Sequence, residues 1–143
     1  HAAELTTSTK AGPSIRAHVA AQKPLVAECG GMLYLLEGLT DTTGARHAML
    51  GLVPGHATMQ TRLAALGMQQ IATPLGIMTG HTFHYSHVET PLIPVGHTRR
   101  ASSDDRGERI FRHGPIFATY MHGYWPSNPE LTAALFRGQW SVS

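Results

Sequence analysis

The stretch Pro24-Leu25-Val26-Ala27-Glu28-Cys29-Gly30-Gly31-Met32-Leu33-Tyr34-Leu35-Leu36-Glu37-Gly38 decides how the chain is read. Pro24 to Glu28 is a short apolar run with a β-branched centre, and its length and pattern predict a buried parallel strand. Cys29-Gly30-Gly31 turns the chain. Met32 to Glu37 predicts a helix that ends at Gly38. A strand that passes through small residues into a helix is the basic connection of α/β architectures.

Upstream, Thr6 to Thr9 is rich in hydroxyls suited to capping a helix. Ser14 to Ala21 reads as that helix, with Ile15 and Val19 one turn apart and Pro13 in its first turn. Downstream the chain is turn-rich. Met49 to Val53, Gly67 to Thr73 and Ile77 to Ser86 are strand candidates. In the last, period-two alternation puts His81, Phe83 and Tyr85 on one face. Arg99 to Arg109 is charged and reads as a loop. Arg109 to Arg112 and Ile116 to Met121 predict a hairpin around His113-Gly114-Pro115. Pro129 to Arg137 predicts a terminal helix. The residues together predict an α/β sandwich with inserted β structure, over residues 1–143 as one domain.

Composition excludes several classes. Lys and Arg exceed Asp and Glu by 11 to 9, and no basic run is longer than Arg99-Arg100, which argues against nucleic-acid binding. No apolar stretch reaches the ~18 residues of a membrane span and no signal peptide is visible, so a cytoplasmic location is expected. The chain holds one cysteine, which rules out an internal disulfide and argues against a cysteine-built zinc site. No G-x-x-x-x-G-K is present, so no phosphate loop for ATP is expected. The chain opens at His1, which suggests a piece of a longer protein.

Cys29 is the first candidate for chemistry. A sharp strand-to-helix turn pushes the sulfur outward, small neighbours relieve the crowding, and the start of a helix offers unpaired N–H groups. Those groups favour thiolate and leave the Gly30 N–H aimed at an oxyanion. The alternative is a buried cysteine acting as a small hydrophobe. A thiol nucleophile needs a base. Of the ten histidines, His122 follows a predicted strand, Phe117 to Met121, and strand carboxyl ends are where α/β proteins assemble sites. Its alternative is a strand-end histidine bound to a backbone carbonyl. Glu28 either orients a base, contacts a substrate ammonium, or is an ion-paired strand end. His81, His84 and His87 are spaced as a metal triplet, but strand alternation puts His84 opposite the other two, so no metal site is expected.

Val26 to Leu35 resembles the nucleophile segment of class I glutamine amidotransferases, closest to the domain found in cobyrinic and hydrogenobyrinic acid a,c-diamide synthases. Gly80-His81-Thr82-Phe83-His84-Tyr85-Ser86 resembles a second segment of that family, and Ala118 to Trp125 a third. Gly51 to Gly55 and the region of Arg62-Leu63 are similar too. The likeness runs in order from about His1 to Phe136. It implies a flavodoxin-like three-layer sandwich with a β-rich insertion, truncated at its N-terminal side. It implies Cys29 as nucleophile and His122 as general base and acid, with Gly30, Gly31 and Glu28 near the oxyanion and substrate. His84, Tyr85 and Ser86 would lie on the substrate side. Glutamine would be the substrate, and ammonia would serve amidation of the a and c carboxylates of a corrinoid.

The resemblance also implies that ATP and Mg²⁺ act in a synthetase domain absent from this chain, which itself takes no cofactor. The corrinoid would be met through that domain, and the oligomeric state stays open, a homodimer being one option. Cobyrinic acid, hydrogenobyrinic acid and a nickel tetrapyrrole all stay open as acceptor. Two departures stand out. Tyr124 occupies the place where class I members often carry a third catalytic Glu. His1 to Leu5 resembles the stretch just after a family segment that gives a second oxyanion donor, so the isolated piece is expected to be weakly active or inactive. Outside this reading stand a peptidase-like Cys–His hydrolase and a non-catalytic docking module.

Overall fold

The computed structural model describes every residue except Asp104. Among these residues the helices are α1 (Ala2–Thr6), α2 (Ala11–Ala20), α3 (Gly30–Leu35) and α4 (Pro129–Arg137). The strands are β1 (Leu25–Glu28), β2 (Gly38–Thr40), β3 (Arg46–Ala48), β4 (His56–Met59), β5 (Ala65–Thr73), β6 (Gly76–His84), β7 (Ser86–Glu89), β8 (Gly96–Arg100), β9 (Arg106–His113), β10 (Ile116–Thr119) and β11 (His122–Gly123). They form two sheets, a seven-stranded one in the order β1-β10-β9-β8-β5-β6-β11 and a four-stranded one in the order β3-β2-β4-β7. Both are mixed: β1 runs parallel to β10 and β2 parallel to β4, and the other pairings are antiparallel. The result is an α/β fold in which the predicted parallel strand pairs in parallel with one neighbour only. Among the described residues no helix is long and apolar enough to cross a membrane.

The β1–β10 pair is buried on both faces, and period-two alternation divides its side chains between two cores. Leu25, Ala27, Ile116 and Ala118 pack with Met32, Leu33, Leu35 and Leu36 of the α3 region and with Leu39, Ala57 and Val88 of the small sheet. Val26 and Phe117 face the other way, toward Ile110, Met121, Leu131, Leu135 and Trp140. Phe117 and Trp140 meet edge to face at 4.8 Å between ring centroids, a preferred aromatic geometry. Helix α4 is placed as the sequence predicts. The Asn128 side chain accepts from the Leu131 N–H at 2.9 Å, Pro129 follows it, and Gly138 closes the helix in the left-handed region.

Several expectations are corrected, each for a local reason. Met49 to Val53 is not a strand. Its N–H groups cap the end of α3 and the turn beyond it: Leu50 N bonds Tyr34 O, Gly51 N bonds Leu36 O, and Leu52 N and Val53 N both bond Leu35 O, at 2.7 to 3.0 Å. A short helix leaves its last carbonyls open, and this apolar run satisfies them. Helix α3 therefore ends at Leu35, and Gly38 opens β2, where a Cβ would lie 2.9 Å from the His56 ring. Ile77 to Ser86 breaks at Tyr85 into β6 and β7, which belong to different sheets. Arg99 to Arg109 is not a loop, for Arg99 and Arg100 lie in β8 and Arg106 to Arg109 in β9, with Asp104 outside the described residues. The inward residue of β8, Thr98, is fully buried, donating to Gln69 Oε1 at 2.6 Å and accepting from Glu108 N at 2.7 Å. Helix α2 starts earlier than predicted, at Ala11, where the Ser8 hydroxyl accepts from the Ala11 N–H.

Candidate active site

Cys29 follows directly on β1. Its N–H donates to Thr119 O at 2.9 Å, which extends the β1–β10 ladder by one step, and its own carbonyl accepts from Leu33 N at 3.1 Å, the first turn of α3. Between those two bonds the backbone takes φ +45° and ψ −114°. Only Gln22 and Cys29 among the described non-glycine residues have positive φ. For an L-residue this conformation costs on the order of 1–3 kcal/mol, and such strain concentrates at functional turns. It swings the side chain off the strand, with the sulfur 4.0 Å from the Phe83 carbonyl, to which the thiol donates.

The thiol is not the ready thiolate that a helix start alone suggests. Burial pushes its pKa up; the Gly30 N–H bonded to it pulls the other way; the carboxylates of Glu108 and Glu28 add to the rise. Desolvation disfavours the charged form more than one backbone donor restores it. At neutral pH the sulfur therefore holds its proton and needs an acceptor to become a nucleophile.

His122 opens β11 just past the carboxyl end of β10, the strand beside β1. Strand β11 pairs with β6, His122 opposite His81, and the two imidazoles stack at 5.0 Å between centroids and 19° between planes. Strand β6 thus serves both candidates, presenting the Phe83 carbonyl to the sulfur and the His81 ring to His122. Gly80 makes the approach feasible: a Cβ there would lie 2.2 Å from the His122 carbonyl oxygen. Glu28 links the two from the other side. Its Oε1 accepts from Gly123 N at 3.1 Å and from the Trp125 indole at 3.2 Å. These bonds tie Glu28 to the segment that follows His122 and not to an imidazole ring. Tyr124 is exposed, with its N–H on Thr79 O, and takes no part in this constellation.

Gly30 and Gly31 form the first turn of α3, with open space where a Cβ would stand. Gly30 borders a cavity of about 410 Å³ shared with Leu33, Tyr34, Asp41, His47 and Met59. Of the remaining predicted residues, Tyr85 faces outward and packs edge-on to Phe83, whereas His84 and Ser86 point inward. They belong to a buried polar network that sequence reasoning missed. The His84 ring pairs with Ser86 O at 3.0 Å and Glu108 Oε1 at 3.1 Å, Thr82 donates to Glu108 Oε1 at 2.7 Å, and Ser86 Oγ lies 2.7 Å from the Tyr120 hydroxyl. His84 lies flat on Tyr120 at 3.6 Å. Burial would raise the Glu108 carboxyl, but the bonds from His84 and Thr82 and the charges of His84 and Arg100 hold it below the usual range. Burial also pushes the Tyr120 phenol up to about 12. The sequence signal is the inward phase of Thr82, His84 and Ser86; Glu108 lies in a run that reads as loop. His81 and His87 are exposed while His84 is buried, the alternation expected of a strand.

A strained strand-to-helix cysteine, with a histidine just past the end of the neighbouring parallel strand, defines a class of thiol-dependent transferases and hydrolases on α/β scaffolds. Residues 1–130 match the CobB/CobQ-like glutamine amidotransferase domain, and the chain belongs to that family. It is similar to the hydrogenobyrinate a,c-diamide synthase of Stutzerimonas stutzeri, 47% identical over 137 residues, covering 96% of this chain and 32% of the relative. The protein of the same name from Pseudomonas aeruginosa is 45% identical, covering 94% of this chain and 31% of the relative. The cobyrinate a,c-diamide synthase of Herminiimonas arsenicoxydans is 41% identical, covering 95% and 31%. The chain therefore spans about a third of the length of these relatives.

Proposed function

We propose that this chain is the glutamine-hydrolysing part of a longer corrinoid a,c-diamide synthase. The observation that carries the reading is the Cys29 backbone at φ +45°, held between the Thr119 carbonyl and the first turn of α3. His122 takes the Cys29 proton, and the sulfur attacks the side-chain amide carbon of glutamine. The carbonyl oxygen becomes an oxyanion facing the N–H groups of Gly30 and Gly31, which have no partner within the helix. His122 then gives its proton to the amide nitrogen, the C–N bond breaks, and ammonia leaves a γ-glutamyl thioester. A water molecule, losing its proton to His122, attacks the thioester; the sulfur departs, recovers the proton and releases glutamate.

In the same proposal the fold is the flavodoxin-like three-layer sandwich of class I amidotransferases, supported by helices on both faces of the β1–β10 pair. The rest of the longer protein supplies the second oxyanion donor and consumes ATP with Mg²⁺ to activate the a and c carboxylates of cobyrinic or hydrogenobyrinic acid. Neither ATP nor Mg²⁺ acts on the residues of this chain. The site would work in the cytoplasm.

The test is glutamate release from glutamine by the full-length protein. Cys29→Ser is expected to lower it by at least ~10³-fold, in line with loss of a nucleophile acting as one unit with its base. Amidation supported by ammonium salt should persist in that variant. A second reading, an inert docking module, is favoured by one observation: the Cys29 thiol is pushed toward its protonated form. A diazo-ketone analogue of glutamine separates the two. Labelling of Cys29 no faster than free cysteine would favour the module.

A further inference from the structure

His84 is surrounded by acceptors. One ring nitrogen faces the Ser86 carbonyl at 3.0 Å and the other the Glu108 carboxylate at 3.1 Å. A carbonyl has no proton to give. The Glu108 oxygen already receives the Thr82 hydroxyl proton and, on an ionised carboxylate, has none to offer. Both nitrogens thus face acceptors, and the buried ring is held between Ser86 and Glu108. It lies flat on Tyr120 at 3.6 Å and 8°, ring against ring. Tyr120 is fixed a second time, by its hydroxyl on Ser86.

Three backbone segments of the candidate site meet at this ring. His84 follows Phe83, whose carbonyl lies by the Cys29 sulfur. Tyr120 stands between Thr119, which accepts the Cys29 N–H, and the His122 end of the turn. Glu108 comes from β9, which pairs with β10. We propose that His84, resting on the glutamine-hydrolysis reading, is a positioning residue: clamped between Ser86 and Glu108 it fixes Tyr120, and through Tyr120 the strand end that carries His122, in register with Cys29 and the Phe83 carbonyl. It touches neither substrate nor the reacting atoms. Losing either bond in this buried place loosens the clamp.

Full-length protein labelled with ¹⁵N-histidine is expected to show the His84 ring N–H protected from exchange. A His84 ring N–H that exchanges freely overturns the proposal, and this reading needs no variant. His84→Gln and Glu108→Gln should lower kcat for glutamine about 10- to 100-fold, the scale of a misplaced catalytic pair, with KM within about twofold. Amidation with ammonium salt should be unchanged, which shows that the variants are folded. An unchanged kcat in both variants also overturns it. If Cys29→Ser still releases glutamate at the normal rate, the glutamine reading itself fails; if Cys29→Ser is dead while His84→Gln is normal, only the clamp fails.

Discussion

The Glu28 carboxylate accepts the Gly123 N–H at 3.1 Å, joining the residue before Cys29 to the residue after His122. The two catalytic candidates are thus connected across the sheet end by a side chain that is neither of them. The same oxygen takes the Trp125 indole N–H at 3.2 Å, so the turn after His122 has two anchors on one atom. Glu28→Ala removes both and leaves a partly buried N–H unpaired, a loss of about 1–3 kcal/mol. Glutamine turnover should fall at least tenfold in Glu28→Ala and less in Glu28→Gln, whose amide oxygen still accepts. Equal losses in the two would contradict an anchoring role.

The strain at Cys29 predicts that glycine is more stable there than alanine. Cys29 is the N-cap of α3, a position where glycine already exceeds alanine. At φ +45° glycine is the better residue, because it has no Cβ to crowd the preceding carbonyl. Cys29→Gly should be more stable than Cys29→Ala by ~1–2 kcal/mol, both being inactive. Chemical denaturation of the two variants measures the difference.

Gly80 is the contact on which the β6–β11 pairing depends. An added Cβ would lie 2.2 Å from the His122 carbonyl oxygen and 2.5 Å from the Met121 side chain. The methionine can bend away, but the backbone oxygen cannot without breaking the pairing. Gly80→Ala should cost about 1–3 kcal/mol, as overpacking does, and should depress kcat with little change in the affinity for a glutamine analogue. Unaltered turnover would count against the need for His122 to sit over β6.

Acid should loosen the network behind the site. The Glu108 carboxyl sits below its ordinary range in the folded protein, since the bonds from His84 and Thr82 outweigh burial. A folded pKa below the unfolded one adds stability that is complete above roughly 4.3, the value of an unperturbed glutamate, and is lost as pH falls through the folded value. Wild-type stability should therefore drop more steeply below about pH 4 than that of Glu108→Gln. Unfolding midpoints along a pH series check this, and parallel curves would exclude the contribution.

The residues that dictate the fold locally are legible in the sequence. Leu25 to Glu28, the Cys29 turn, the hairpin at Gly114 and helix α4 each carry their own pattern of period, proline, glycine or cap. Strand alternation by itself sets His84 and Ser86 opposite Tyr85. What stays hidden depends on partners distant in the chain. Met49 to Val53 has the composition of a strand, but its donors are spent on the α3 carbonyls. Arg99 to Arg109 looks like solvent-facing loop because the inward groups beside it and within it, Thr98 and Glu108, are polar and find each other only across β8 and β9. For the same reason nothing in the sequence marks Glu108 as a neighbour of the thiol. The direction of the Cys29 shift also needs three dimensions, since burial and two carboxylates decide it against the nearby Gly30 donor.

Helix α3 has six residues, too few to persist on its own, and its closing carbonyls are held by an apolar strip that lies about fifteen positions downstream. The Cys29 turn and that strip are consequently expected to open together, as one cooperative unit. A destabilising change at Leu50 or Val53, remote in sequence from the thiol, would free the sulfur's backbone as surely as a change beside it. Amide protons of Leu33 and Gly51 should then trade with deuterium at matching rates.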